Sequence, residues 1–191
     1  MPAAIFDLNG VFIESRPLSE RFLEDYGIPI DQFLPVLSSI MEAARRPGAD
    51  DIYTYWEPHL ARWKLDLTRE QFLRYWFEAE QEDPQMVTLV QDLRRNGWQL
   101  FTLSNNFRER TRYYEQRFAF LQSLTTYYSW RTGNVKPDPQ CFVQIIDENG
   151  LDPKECHYFD DSEKNVAAAR AQGIQAHKYE SSDQVRRITG L

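Results

Sequence analysis

Phe6-Asp7-Leu8-Asn9-Gly10-Val11 follows directly on the apolar run Ala3-Ala4-Ile5 and closes it with a carboxylate, an amide and a glycine. A short apolar run that stops at such a loop is the pattern of a buried parallel strand. Asp7 is thereby delivered to a strand's C-terminal end, where open α/β sheets bind their ligands.

Outward from this strand the rhythm changes twice. From about Glu14 to Asp83 it is helical. Leu18, Phe22 and Tyr26 share a face before Gly27, Asp31 is placed to cap a helix carrying Phe33, Leu37, Ile40 and Met41, and Pro47-Gly48 breaks it. Ile52, Tyr55, Trp56, Leu60 and Trp63 line another helix, and Thr68 to Gln71 has capping-box spacing ahead of Phe72, Tyr75 and Trp76. Aromatic stripes at this spacing are core packing before they are substrate platforms.

Beyond Asp83 helices and strands alternate. Asp83, Pro84 and Gly97 bracket a helix before the strand Trp98 to Leu103. Strands are expected at Thr125 to Trp130, Cys156 to Phe159 and Ile174 to Tyr179. Helices are expected at Pro139 to Asn149, at Ser162 to Gln172 and at the C-terminus. The expected architecture is an α/β, Rossmann-like, doubly wound parallel sheet formed by residues 1–14 and 84–191, with residues 15–83 as a small all-helical domain.

Composition narrows the function. With 22 Lys and Arg against 29 Asp and Glu, the 191-residue chain carries a formal charge of -7, the wrong sign for gripping a nucleic-acid backbone. No run of roughly 18 apolar residues offers a membrane span, and Asp7 interrupts the N-terminus before a signal peptide's apolar region. Cys141 and Cys156 are too few for a disulfide framework or a zinc site, so both read as buried packing residues in a reducing, cytoplasmic setting. His59, His157 and His177 lack metal-ligand spacing and carry no assigned function. The sequence specifies no oligomeric state.

Each expected strand end, or the loop after it, carries chemistry: Asp7 and Asn9, then Ser104-Asn105, then Lys136 in Asn134 to Pro139, then Asp160-Asp161. Carboxylates converging from separate strands repel unless a cation lies between them, and hard oxygen donors without His or Cys favour Mg2+. A lysine and a hydroxyl beside that cation suit a phosphate dianion.

Phe6 to Val11, Leu103-Ser104-Asn105, Val135-Lys136-Pro137 and Phe159-Asp160-Asp161-Ser162 together resemble the four ordered motifs of the haloacid dehalogenase superfamily. Within it, Leu103 to Asn105, Lys136-Pro137 and Phe159 to Asn165 are similar to the glucose-1-phosphate phosphatase-like subgroup, which carries a helical cap after the first motif. The resemblance implies a Mg2+-dependent phosphatase of small phosphorylated metabolites, sugar phosphates among them, and the following roles. Asp7 is the nucleophile that forms an aspartyl-phosphate. Ser104 and Asn105 hold the phosphoryl oxygens together with Lys136, which also neutralises charge. Asp7, the Asn9 carbonyl, Asp161 and Asp160 surround the metal. Most family phosphatases have a second aspartate at the position of Asn9, where it acts as acid and base, and an amide cannot shuttle that proton. A weakly active or purely ligand-binding protein is therefore the alternative, and a metal-independent haloacid dehalogenase a further one.

Overall fold

The structure is a computed structural model and describes residues 1–191. Its centre is a five-stranded parallel sheet made of β1 (Ala3–Phe6), β4 (Gln99–Ser104), β5 (Thr125–Tyr128), β6 (Cys156–Asp160) and β7 (Gln175–Lys178). Across the sheet the strands run β5, β4, β1, β6, β7. The chain thus builds one half outward from β1, then crosses to β1's other side. That reversal is the topological switch point, and it lies at the end of β1 that carries Asp7.

Alternation along β1 explains the two layers. Ala4 and Phe6 join a core with Met86, Leu89 and Leu93 of α5 (Pro84–Arg95), Tyr114 of α6 (Arg108–Arg117) and Val185 of α10 (Ser182–Thr189). Ala3 and Ile5 face the other way, toward Phe142 and Ile145 of α8 (Gln140–Asn149) and Val166 and Ala169 of α9 (Glu163–Arg170). All four β1 residues are fully buried, as a central parallel strand requires.

Between Ile13 and Glu82 the chain leaves and re-enters the sheet domain through a short antiparallel pair, β2 (Ile13–Glu14) with β3 (Gln81–Glu82). The helices α1 (Leu18–Tyr26), α2 (Ile30–Ala44), α3 (Ile52–Arg62) and α4 (Arg69–Phe77) lie between these strands. They pack on their own apolar centre of Phe22, Phe33, Trp56, Phe72 and Trp76. Ring centroids there approach to 5.2 Å for Phe33 and Trp56 and 5.3 Å for Trp56 and Phe72. The aromatic stripe is thus core, as its spacing indicates. No helix is long and apolar enough to cross a membrane.

Several local expectations need correction. α2 begins after Pro29, whose side chain makes no cap bond, and Asp31 sits in the first turn rather than at the cap. There it still faces the positive end of the helix dipole. The strand expected to reach Trp130 ends at Tyr128, because Ser129–Thr132 turn into a single helical turn, α7. The helix expected over Ser162 to Gln172 spans Glu163–Arg170. α6 has no apolar stripe to announce it, since only Thr111 and Tyr114 of its ten residues are buried.

α4 begins with a complete capping box, in which Thr68 accepts from the Gln71 N–H and Gln71 accepts from the Thr68 N–H. Loss of such a cap costs about 1 kcal/mol. Thr68→Ala should lower the melting temperature by about 2–4 °C for a chain of this size, read by thermal unfolding under circular dichroism. An unchanged melting point would mean that α4 is held by its aromatic face alone.

Candidate active site

The loop after β1 continues the ladder, with the Asp7 N–H donating to Phe159 O at 2.9 Å. Phe6 pairs with Phe159 in register, so the next residues along, Asp7 and Asp160, stand side by side at the ends of adjacent strands. Two carboxylates in that position need a cation.

Lys136 supplies one from within the protein. Its Nζ donates to Asp7 Oδ1 at 2.8 Å and to Asp160 Oδ2 at 2.7 Å, with its side chain only 2% exposed. Burial opposes the charge on Lys136, yet Asp7 and Asp160 outweigh it and hold the ammonium above its ordinary pKa. Asn105 sets the lysine's backbone: its Nδ2 donates to Lys136 O, and its Oδ1 accepts from Lys136 N, both at 2.8 Å. The Asn105 carboxamide, expected at the phosphate, is thus occupied at both ends by the lysine's main chain. Ser104, one residue earlier, ends β4 and is buried.

The three carboxylates are not equivalent. Asp160 is fully buried, and its oxygens accept from Lys136, Tyr158 Oη, Ser162 N and Asn165 Nδ2. Burial would raise its pKa, but Lys136, Tyr158 and the Ser162 N–H reverse that and hold it below the usual carboxylate range. Asp7 accepts from Leu8 N and Lys136, both on Oδ1. Burial pushes Asp7 up to about 6, with Lys136 working against the rise and Asp160 adding to it. Asp161 is exposed, and its pKa is raised by partial burial and then by Asp160. Single oxygens of the three lie within 4.8 Å of one another.

Gly10 makes this convergence possible. It adopts φ +83°, and a Cβ there would sit 2.7 Å from Asp161 Oδ2. Only glycine tolerates both the backbone conformation and the approach.

The donor set suits a hard divalent cation. Asp7 Oδ2 and the Asp161 carboxylate carry no competing lysine, and the Asn9 carbonyl accepts no backbone hydrogen bond. Asp160, already saturated, serves better as the anchor of Lys136.

The residues expected from sequence therefore meet at one end of the sheet. The sequence reading missed the shell behind them. Asn106 is fully buried and donates from Nδ2 to Asn9 Oδ1 at 3.1 Å. Asn9 Nδ2 donates to Tyr114 Oη at 2.7 Å, and Glu80 pairs with Arg110 alongside. The doublet Asn105-Asn106 is a visible signal for the first. Nothing local marks Glu80, Arg110 or Tyr114, which lie 71 to 105 positions from Asn9.

Known proteins share the sequence pattern and the fold. A family model for haloacid dehalogenase-like hydrolases matches residues 1–173, and the chain belongs to that family. It is 25% identical over 183 residues to a phosphorylated carbohydrates phosphatase of Thermotoga maritima, covering 92% of this chain and 83% of the relative. It is 28% identical over 205 residues to phosphatase MT3486 of Mycobacterium tuberculosis, with 96% and 89% coverage. Among solved structures, the fold matches the haloacid dehalogenase family enzyme bt-2542 of Bacteroides thetaiotaomicron with a TM-score of 0.83 at 19% identity, covering 98% of each chain. That enzyme has also been crystallised with magnesium and inorganic phosphate.

Gly10→Ala tests the crowding directly. Left-handed backbone alone costs a non-glycine residue roughly 1–2 kcal/mol, and Gly27→Ala, at φ +69° with nothing within 4 Å, measures that part. Gly10→Ala should lower the melting temperature by clearly more than Gly27→Ala. Equal shifts would show that the Asp161 approach is relieved at no cost.

Proposed function

We propose that this chain is a Mg2+-dependent phosphatase of small phosphorylated metabolites, acting through an aspartyl-phosphate on Asp7. The observation that carries the reading is the buried Lys136 ammonium bonded to Asp7 and Asp160 at once, with Asp161 brought to the same point over Gly10. Three carboxylates against one ammonium leave the site negative, so a phosphate dianion enters only beside a divalent cation. Asp7, Asp161 and the Asn9 carbonyl would hold that cation, with Asp160 behind them. Bound there, Mg2+ would screen the repulsion between Asp7 and the phosphoryl oxygens.

The chain's own residues then act in order. An Asp7 carboxylate oxygen attacks phosphorus, and the bond from phosphorus to the leaving oxygen breaks with its electron pair going to that oxygen. Lys136 and Ser104 hold the phosphoryl oxygens during transfer. A water molecule next attacks phosphorus, the bond to Asp7 breaks, and inorganic phosphate leaves with the carboxylate restored. Asn9 contributes a hydrogen bond but no proton, so the leaving oxygen is protonated by water.

General acid assistance is typically worth about 100- to 10,000-fold, and its absence at Asn9 favours substrates with good leaving groups. A binding-only protein shares this asparagine and is separated by turnover. A dehalogenase acting without metal leaves the Asp161 approach without a use. The phosphorylated-carbohydrate activity of the Thermotoga relative makes sugar phosphates the first class to test. In this reading residues 15–83 cap the strand ends of residues 1–14 and 84–191 and choose the leaving group. The two buried free thiols suit a reducing, cytoplasmic setting.

Phosphate release from a panel of sugar phosphates and aryl phosphates, with Mg2+ and with chelator, tests the reading. Turnover should require Mg2+, and Asp161→Ala should abolish the Mg2+-dependent part while the protein stays folded. Asp7→Asn should be inactive, and beryllium fluoride should inhibit the wild type by mimicking the acyl phosphate. Turnover by Asp7→Asn would replace the covalent route with direct attack by water.

A further inference from the structure

Asn9 sits in a hydrogen-bond chain whose directions are settled by the backbone. The Phe107 N–H can only donate, and it donates to Asn106 Oδ1 at 3.0 Å. Asn106 therefore turns its Nδ2 outward, where it donates to Asn9 Oδ1 at 3.1 Å. Asn9 in turn presents Nδ2, which donates to Tyr114 Oη at 2.7 Å. With its oxygen accepting, the phenol must direct its own proton elsewhere. The charged groups beside the phenol are Arg110, over its ring, and Glu80, which pairs with Arg110.

This shell is dry. Asn106, Tyr114 and Glu80 are fully buried, and the Arg110 side chain is 14% exposed. Arg110 lies beside the Tyr114 ring, 5.4 Å from its centroid, and pairs with Glu80. Arg110 Nε and Glu80 Oε2 nonetheless lack hydrogen-bond partners. A buried ion pair with idle polar atoms is poor value as a stabilising device. Its position against Tyr114, and through Tyr114 against Asn9, suggests a different use. Asn9 itself is only half-buried.

We propose that Tyr114 is a positioning residue for Asn9: with Asn106 it locks the carboxamide in one orientation, so that the second Nδ2 hydrogen is offered to the leaving oxygen of the substrate. Arg110, held by Glu80, lies against the Tyr114 ring and keeps the phenol in place. The arrangement uses both ends of the amide at position 9. An ionised aspartate there would have no hydrogen to give, either to Tyr114 Oη or to the substrate. Position 9 is thus built as a donor of a hydrogen bond rather than as an acid.

The role in turnover rests on the phosphatase reading; the orientation of Asn9 does not. The test combines Tyr114→Phe with Asn9→Ala, measuring kcat and KM for alkyl and aryl phosphates in Mg2+. Tyr114→Phe should lower kcat about tenfold, the scale of one lost hydrogen bond of about 1.4 kcal/mol. The loss should be larger for alkyl phosphates, with little change in KM. In the Asn9→Ala background the same substitution should have no effect. An equal loss in both backgrounds would make Tyr114 merely structural and overturn the proposal. Glu80→Gln, which keeps the shape, should give a weaker effect with the same dependence on Asn9, and it carries the cycle if Tyr114→Phe does not fold.

Absence of any phosphate-ester turnover by the wild type would sink the phosphatase reading instead. The orientation is then decided by the Asn9 side-chain amide in 15N NMR, assigned by its disappearance in Asn9→Ala. One of its two protons should be protected from exchange in the wild type and exposed in Tyr114→Phe or Glu80→Gln. Identical exchange in all three proteins would overturn the proposal without reference to catalysis.

Discussion

A single ammonium holds the strand ends together. Parallel pairing of β1 with β6 sets Asp7 and Asp160 about one strand spacing apart, close to 5 Å, where two charges of one sign cannot both stay ionised unaided. Lys136 resolves the conflict, and the cost of burying it is offset because both its neighbours are anions. The lysine comes from the loop after β5, two strands away from β1, and reaches the carboxylates because Asn105 at the end of β4 grips its backbone from both sides. The order β5, β4, β1, β6 is therefore a requirement of the site as much as of the core.

The same constraint divides labour among three residues of one chemical type. Asp160, saturated by four neighbours and held ionised, cannot turn to a ligand without releasing Lys136. Asp7, pushed up to about 6 by burial, is the carboxylate with the most to gain from an added cation. Asp161 has the exposure to meet a cation and reaches the site only because Gly10 has no side chain. Adjacent residues in sequence, Asp160 and Asp161, thus face opposite duties.

Strand ends were legible because apolar runs stop abruptly at Asp7, Ser104 and Asp160, and helix ends because Gly27, Thr68, Asp83 and Gly150 are placed for recognised caps. Strand–helix boundaries were less so. Ser129 to Thr132 look extended after Tyr127 and Tyr128, but Ser129 is drawn into a turn where its Oγ bonds both the N–H and the carbonyl of Asn106. α6 escaped because its one buried aromatic, Tyr114, packs on the sheet alone and makes no apolar stripe. Asn105 was legible as a site residue, whereas its use on the backbone of Lys136 depends on a contact 31 positions away. Local pattern reports what a strand or helix needs; it does not report which distant partner a polar side chain finds.

The loop after β4 shows how closely these demands are interleaved. Ser104 ends the strand at the site, Asn105 grips Lys136, Asn106 orients Asn9, and Phe107 is buried in the aromatic centre of the helical insertion. The Phe107 ring lies 5.1 Å from Trp76 and 6.1 Å from Phe77. Four consecutive residues thus connect the strand end, the lysine, position 9 and the helices above. Glu80, which follows α4 and precedes β3, closes a second route from the insertion to Asn9 through Arg110 and Tyr114. Any tilt of the helices about the β2–β3 stem must strain one of these routes, because Phe107 moves with the aromatic centre while Asn106 is held by Ser129. The insertion and position 9 therefore share one mechanical connection.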